Sequence, residues 1–148
     1  MSDTVQRAVS RFADGFSCAQ SVFSSFATED GLAEDLALRL AAPFGAGFGR
    51  LGETCGALSG ALLVLGLHYA KSRPEYKDEI YAITREFIET FRQQNGALVC
   101  RELLGHDIST PEGLQAARAA GIFGKICPSV VEKTARALDD FLSEHPVK

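Results

Sequence analysis

The residues of this chain best suited to chemistry are four cysteines: Cys18, Cys55, Cys100 and Cys127. A thiolate is a nucleophile, a soft metal ligand and one half of a disulfide. No two of the four have the C-x-x-C spacing, which argues against a thioredoxin-type motif, a zinc ribbon and a c-type haem site. The local cysteine runs of ferredoxins are missing too. If these cysteines act together, the fold must bring them together.

Two of the cysteines lie at predicted helix starts. Ser17 is the predicted N-cap of a helix that begins at Cys18, and Thr54 is the predicted N-cap of a helix that begins at Cys55. The dipole and the free N–H groups of a helix start favour a thiolate over a thiol. We therefore expect lowered thiol pKa values, with Cys55 as the most polarised of the four.

The other two cysteines also lie near predicted helix starts. Cys127 directly precedes Pro128, and Ser129-x-x-Glu132 behind it is a capping-box pattern that predicts the start of the last helix. Cys100 follows a break at Gly96 and is expected in or near a first turn. Inert core cysteines have no reason to collect at helix starts, although four cases are few.

The elements that position these cysteines are predicted to be helices throughout. Apolar residues recur at helical spacing and no segment alternates like a strand, which predicts an all-α, single-domain bundle over residues 1–148. We expect six or seven helices around a buried central helix from Cys55 to about Ala70, which is apolar on most faces. Gly56 and Gly60, one turn apart, leave a groove for a close neighbour or for a cofactor.

One further helix is long and strongly amphipathic. It is predicted to run from about Glu75 to Gln94, and Asn95-Gly96 marks its end. We interpret its apolar stripe as core, with a homodimer through part of this helix as the alternative.

The glycine-rich loop before Cys55 contains Gly47-x-Gly49-x-x-Gly52, which matches the dinucleotide fingerprint. That fingerprint requires a strand before it and a helix after it. Here the preceding segment, 36–42, is predicted to be helical and Pro43 ends it. We therefore do not expect nucleotide binding, and interpret the loop as a wall that faces the thiol of Cys55.

Charge and length restrict the partners. The chain has 148 residues, a formal net charge of −4 and a sequence pI near 5.4, which argues against nucleic-acid binding. The first fourteen residues contain no apolar run, so no signal peptide is expected, and the longest uncharged stretch, 54–67, is too short to cross a bilayer. We expect a cytoplasmic protein without membrane insertion, in a compartment that keeps thiols reduced.

Taken together, the cysteines and glycines resemble a known pattern. Cys18-Ala-Gln, then Cys55-Gly-Ala-x-x-Gly60, and then single cysteines at Cys100 and Cys127 resemble the redox-active protein family named for its C_GCAxxG_C_C cysteine pattern. The resemblance extends over about residues 15 to 130. It implies a redox or metal-linked role for the four cysteines. Members are often associated with transporter loci, which suggests metal or sulfur handling.

Three mechanisms are compatible with the sequence. In the favoured one, the cysteines form one or two dithiol/disulfide couples that exchange electrons with an unknown redox partner, and three pairings are open. In the second, the four thiolates hold a metal or an iron–sulfur cluster in a carrier without catalysis, with Gly56 and Gly60 beside the cofactor. In the third, the chain is a helical interaction protein and its cysteines are structural. The sequence leaves open whether the protein is an enzyme.

Overall fold

The computed structural model describes residues 2–147. Its α-helices are right-handed, apart from one short left-handed turn at residues 45–48. These helices are α1 (Asp3–Ala13), α2 (Cys18–Ala27), α3 (Glu34–Ala41), α4 (Gly56–Tyr69), α5 (Lys77–Asn95), α6 (Cys100–Leu104), α7 (Pro111–Ala119) and α8 (Ile122–Glu144). Within residues 2–147 extended pairing is limited to a single bridge between Thr54 and Val99. The all-α prediction is confirmed. The structure has eight helices rather than six or seven, the five-residue α6 being the addition.

Helix α4 is the buried centre of the fold, as the sequence predicted. Most of its residues are buried, and Leu58 and Leu65 are 1% and 0% exposed. Burial of each such leucine contributes about 1.5–3 kcal/mol to folding. Helix α2 packs along α4 and is buried over most of its own length, so the two uncharged helices form the middle of the bundle.

The ends of several helices follow the predicted signals. Ser17 and Gln20 form a capping box at the start of α2, with both reciprocal hydrogen bonds present. The long helix ends at Asn95, and Gly96 adopts the left-handed conformation with a φ of 85°. The apolar stripe of this helix faces the core through Phe87 and Phe91, which are 0% and 1% exposed. The homodimer alternative stays a prediction.

The predicted start of the last helix was wrong. Helix α8 begins at Ile122 rather than after Cys127, and it continues through Pro128. Pro128 lacks an N–H group, so the helix loses one hydrogen bond there, at a cost of about 3 kcal/mol. Apolar side chains of the additional turns, among them Phe123 and Ile126, pack onto a small core cluster that includes Leu104. Burial of these side chains offsets the cost of the proline.

The glycine-rich segment before α4 forms a left-handed turn. The φ angles of Ala46, Gly47, Phe48, Gly49 and Arg50 are 55°, 66°, 66°, 62° and 71°, and the Gly49 N–H donates to the Gly45 carbonyl over 2.9 Å. Only two of these five residues are glycines. Each non-glycine residue in this conformation costs roughly 1–2 kcal/mol, so packing around the turn must hold it in place.

Among residues 2–147, no helix combines the length and the apolar character that crossing a membrane requires.

Candidate functional site

All four cysteines line one cavity of about 140 Å³. The cavity lies where the N-terminal ends of α2, α4 and α6 meet the first half of α8. The remainder of its wall is mainly apolar, with side chains of Phe12, Leu103, Leu104, Phe123, Ile126 and Val130. The fold therefore brings together four residues that are separated by 27 or more positions in the sequence.

Cys18 is the first residue of α2, directly behind its N-cap Ser17, as predicted. Its thiol is surrounded by backbone: the N–H groups of Ala46, Ala19 and Ala57 all act to lower its pKa, although burial raises the pKa above its ordinary value. Ala46 belongs to the left-handed turn, and Ala57 belongs to α4. The sulfur of Cys18 thus lies at the junction of three separate segments.

Cys55 is the N-cap of α4, whereas the sequence predicted Thr54 in that position. The physical reason is the bridge between Thr54 and Val99, which holds this segment extended. Its hydrogen bonds include the Cys55 N–H to the Leu98 carbonyl at 2.8 Å. The helix can begin only after this pairing ends. Cys55 therefore lies at the N-terminal end of α4, where it is 7% exposed.

Cys100 is the first residue of α6 and is 9% exposed. Its N–H donates to the Glu53 carbonyl over 2.6 Å, on the other side of the same bridge. Arg101 holds this junction from outside, since its guanidinium lies 3.1 Å from a carboxylate oxygen of Glu53. The pairing thus fixes Cys55 and Cys100 beside each other at the starts of two helices.

Cys127 lies inside α8, half-buried, one residue before Pro128. The prediction that it lies at a helix start was wrong, because α8 begins earlier. Its position still faces the cavity, together with Phe123, Ile126 and Val130 of the same helix. Phe123 and Val130 lie four and three residues from Cys127, which places them on the same face of α8. Ile126 borders that face.

Gly56 and Gly60 lie against α2. A Cβ atom on Gly56 would be 2.4 Å from the sulfur of Cys18, and one on Gly60 would be 2.7 Å from the Ala19 carbonyl oxygen. The sequence predicted either a close neighbour or a cofactor in the groove at these glycines, and in the structure the neighbouring helix α2 lies there. The cofactor-binding role of both glycines stays a prediction.

Burial controls the electrostatics of the four thiols. It raises the pKa of Cys18 and of Cys55, and it raises the pKa of Cys100 to about 11 and that of Cys127 to about 12. For Cys100 the rise from 9.0 corresponds to about 3 kcal/mol against the thiolate. The predicted lowering by helix starts was wrong in its net sign, because desolvation outweighs the backbone N–H groups that do act on Cys18 and Cys55.

The thiols also affect one another. A negative charge on Cys18 raises the pKa of each of the other three cysteines, and Cys55 and Cys127 are affected by Cys100 as well. The N–H group of Ala57 acts on the pKa of both Cys18 and Cys55, so both sulfur atoms lie near the same amide. Cys18 is therefore the cysteine that acts on the pKa of all the others.

All four cysteines are free thiols in the structure. In the described part of the chain, no three or more His, Cys, Asp or Glu side chains converge in a way that could hold a metal ion. We therefore derive no step through a metal. The metal-binding role predicted for them stays a prediction.

Two parts of the site were missed by the sequence analysis. The apolar wall uses Phe12 and Phe123, whose spacing resembles ordinary core positions and carries no signal of a cavity. The left-handed turn was expected only as a glycine-rich loop, and the participation of Ala46 beside Cys18 had no signal in its residue type. His68, near the C-terminal end of α4, is paired with Asp30 at 2.9 Å and does not line the cavity.

A family model described as putative redox-active protein (C_GCAxxG_C_C) matches residues 16–141. The match includes all four cysteines and most of the chain, so the chain belongs to this family, whose name assigns its members a redox activity in general terms. Neither the curated proteins nor the solved structures give a significant match.

Proposed function

We propose that this member of the C_GCAxxG_C_C family is a thiol/disulfide electron carrier in which Cys18 and Cys55 form the primary couple. The observation that carries the proposal is that the Cys18 sulfur lies against Gly56, the residue directly after Cys55, inside one cavity that all four cysteines line. In the oxidising half-reaction, two thiols become one disulfide and release two electrons and two protons. The electrons pass to the acceptor, and reduction by a donor reverses the step.

Cys100 and Cys127 form the second couple in this proposal. They share the cavity, and the charge of Cys100 acts on the pKa of Cys127. Exchange between the two couples requires that a thiol of one attacks the disulfide of the other. Cys18 is suited to that exchange because it interacts with all three other cysteines. A second couple would let the cavity store four electrons instead of two.

The predicted cytoplasmic location belongs to this proposal, because glutathione and thioredoxin keep thiols reduced there and so supply the donor side of the couple. The redox partner, and whether the protein turns over a substrate as an enzyme, follow from the identity of the oxidant.

The proposal is tested by a redox titration with thiol counting. Reduced protein is equilibrated with mixtures of reduced and oxidised dithiothreitol, the free thiols are alkylated, and the added mass is read. We expect thiols to be lost in pairs, with the first pair lost in a two-electron transition. Cys18→Ser and Cys55→Ser should each remove that transition, whereas the matched variant Cys127→Ser should keep it. Four free thiols at every potential would reject the proposal, and bound metal or sulfide in the anaerobically purified protein would favour the cluster alternative.

A further inference from the structure

The wall of the cysteine cavity carries no charge. Among residues 2–147, the side chains that line it are thiols, apolar groups and the hydroxyl of Ser17. That hydroxyl already accepts a hydrogen bond from the Gln20 N–H over 3.1 Å. The nearby ion pair of Arg101 with Glu53 lies at the surface, where the two side chains are 43% and 48% exposed. No charged side chain in the wall is placed to pair with a charged reactant. The backbone N–H groups at the helix starts stabilise an anion by about 2 kcal/mol at most, which offsets only part of the cost of burying its charge.

The thiols do not supply charge either. Burial raises the pKa of all four, so the reduced cavity contains neutral S–H groups at neutral pH. A charged group that enters an apolar site without a partner costs several kcal/mol. Each 1.4 kcal/mol is a factor of ten in binding. A charged reactant is therefore at a disadvantage on the order of 100-fold or more against an uncharged one of the same shape.

The size of the cavity limits the reactant further. Its volume is about 140 Å³, close to the volume of about 150 Å³ of an apolar protein cavity that holds one benzene molecule. About six non-hydrogen atoms fit such a space. A glutathione disulfide or a disulfide on the surface of a folded protein is much larger than this and, for glutathione, charged.

We propose that the oxidising substrate of this cavity is a small uncharged disulfide, R–S–S–R with short alkyl or hydroxyalkyl groups. The inference rests on the proposed dithiol function and adds the substrate class to it. In the first step, Cys18 loses its proton and attacks one sulfur of the substrate as the thiolate. The N–H groups of Ala46, Ala19 and Ala57 favour that thiolate. The S–S bond of the substrate breaks, and the released R–S⁻ takes up the proton and leaves as the first R–SH. In the second step, Cys55 attacks the Cys18 sulfur as the thiolate, and the second R–S⁻ takes up the Cys55 proton and leaves as R–SH. Two protein thiols are oxidised, one disulfide is reduced, and no other reactant is needed.

The exposures of the two cysteines fit this order. Cys18 keeps more accessible surface than Cys55, which is 7% exposed, so of the two a small molecule reaches Cys18 first. Cys18 therefore meets the substrate, and Cys55 resolves the mixed disulfide.

The test compares two disulfides that differ in charge and hardly in shape. 2-Hydroxyethyl methyl disulfide and 2-aminoethyl methyl disulfide have about six non-hydrogen atoms each, within the size that the cavity admits, and the second carries an ammonium group in place of the hydroxyl. Reduced full-length protein is mixed with each, and thiol loss is followed. Each rate is divided by the rate with the same protein unfolded in guanidinium, which removes the difference in intrinsic reactivity. We expect the normalised rate to favour the uncharged disulfide by on the order of 100-fold. Normalised rates within about threefold of each other would overturn the inference, by the same scale of energies.

A charge in the wall gives a second test. Phe123→Glu places a carboxylate beside the cavity and should raise the normalised rate with 2-aminoethyl methyl disulfide relative to the uncharged disulfide, whereas Phe123→Leu should leave the preference unchanged. If Phe123→Glu fails to fold, the comparison on the natural chain decides alone. A lost preference with a Cys18–Cys55 disulfide still formed overturns the substrate class only. A retained preference that ends in a stable mixed disulfide on Cys18 overturns the dithiol function instead.

Discussion

A methyl group on Gly56 would lie 2.4 Å from the sulfur of Cys18, far inside contact distance. Gly56 is the first residue of α4 and follows Cys55 directly, so the same position that starts the central helix also admits the thiol of α2. The approach of Cys18 to the N-terminal end of α4 therefore depends on the absence of a side chain at this residue.

Gly56→Ala should destabilise the reduced protein and weaken the primary couple. The new Cβ would also lie 3.0 Å from the Phe44 carbonyl oxygen, so neither neighbour leaves room for it. We expect a loss of about 1–3 kcal/mol in the free energy of unfolding, as for other overpacked positions. Urea unfolding measures the loss, and thiol counting in a dithiothreitol redox buffer measures the shift of the first two-electron transition.

The matched control is Gly66→Ala in the same helix. A Cβ there has nothing within 4 Å, and alanine in a helix interior is favoured over glycine by about 0.5–1 kcal/mol. This variant should be slightly more stable than the natural chain, with its redox transition unchanged. Equal losses in both variants would show that the contact with Cys18 does not matter.

The left-handed turn provides a second matched pair. Gly47 and Gly49 have nearly the same positive φ, 66° and 62°, so alanine carries the same backbone strain of about 1 kcal/mol at either position. Only at Gly47 would the Cβ meet backbone, 2.4 Å from the Glu53 nitrogen, whereas at Gly49 it meets nothing within 4 Å. Gly47→Ala should therefore lose about 3 kcal/mol or more, and Gly49→Ala about 1 kcal/mol. Similar losses would mean that the turn does not pack against the segment before Cys55.

The midpoint potential of the primary couple should fall steadily with pH. Burial raises the pKa of both Cys18 and Cys55 above the ordinary thiol value of 9.0. Both thiols of the reduced form therefore keep their protons up to pH 9. Two protons per two electrons give a slope of about −59 mV per pH unit, since a tenfold change in the equilibrium constant is about 30 mV. An ordinary dithiol flattens above about pH 8.5. A break in the slope at or below that pH would contradict the burial of these thiols.

The stability of the reduced protein should decline above pH 9. Burial raises the pKa of Cys100 from 9.0 to about 11. Between these values the folded form keeps a proton that the unfolded form has lost. The stabilisation is thus complete below pH 9 and falls by about 1.4 kcal/mol per pH unit as the pH rises.

The comparison with Cys100→Ala isolates this effect, because lysine and tyrosine ionise in the same range in both proteins. The variant should lose stability less steeply between pH 9 and 11, and its lower stability at pH 7 does not affect the slope. If the stability of the two proteins falls equally steeply with pH, burial does not keep Cys100 protonated in the folded form.

Much of the helical framework was predictable because local signals agree with the tertiary structure. Three local signals act within a few residues, and each of these predictions is confirmed: the N-cap at Ser17, the stop at Gly96 after α5, and the uncharged run of α4. The same applies to Gly56 and Gly60, whose small size indicates a close neighbour wherever that neighbour comes from.

The errors arose where a distant segment decides the local structure. Thr54 has the residue type of an N-cap, but its pairing with Val99 keeps it extended and moves the cap to Cys55. Pro128 has the residue type of a helix start, but packing of Phe123 and Ile126 extends α8 backwards past Cys127. The pKa of Cys55 depends on burial by all of these segments together, so a dipole argument from one helix start gave the wrong sign.

Peptide mapping of the mildly oxidised protein tests the central claim most directly. The reduced chain is oxidised with one equivalent of 2-hydroxyethyl methyl disulfide, the remaining thiols are blocked at acidic pH, and the disulfide-linked peptides are identified by mass spectrometry. We predict a linkage between Cys18 and Cys55, with Cys100 and Cys127 both blocked as free thiols. A first disulfide between Cys100 and Cys127, or four blocked thiols with the oxidant left unconsumed, would contradict the prediction.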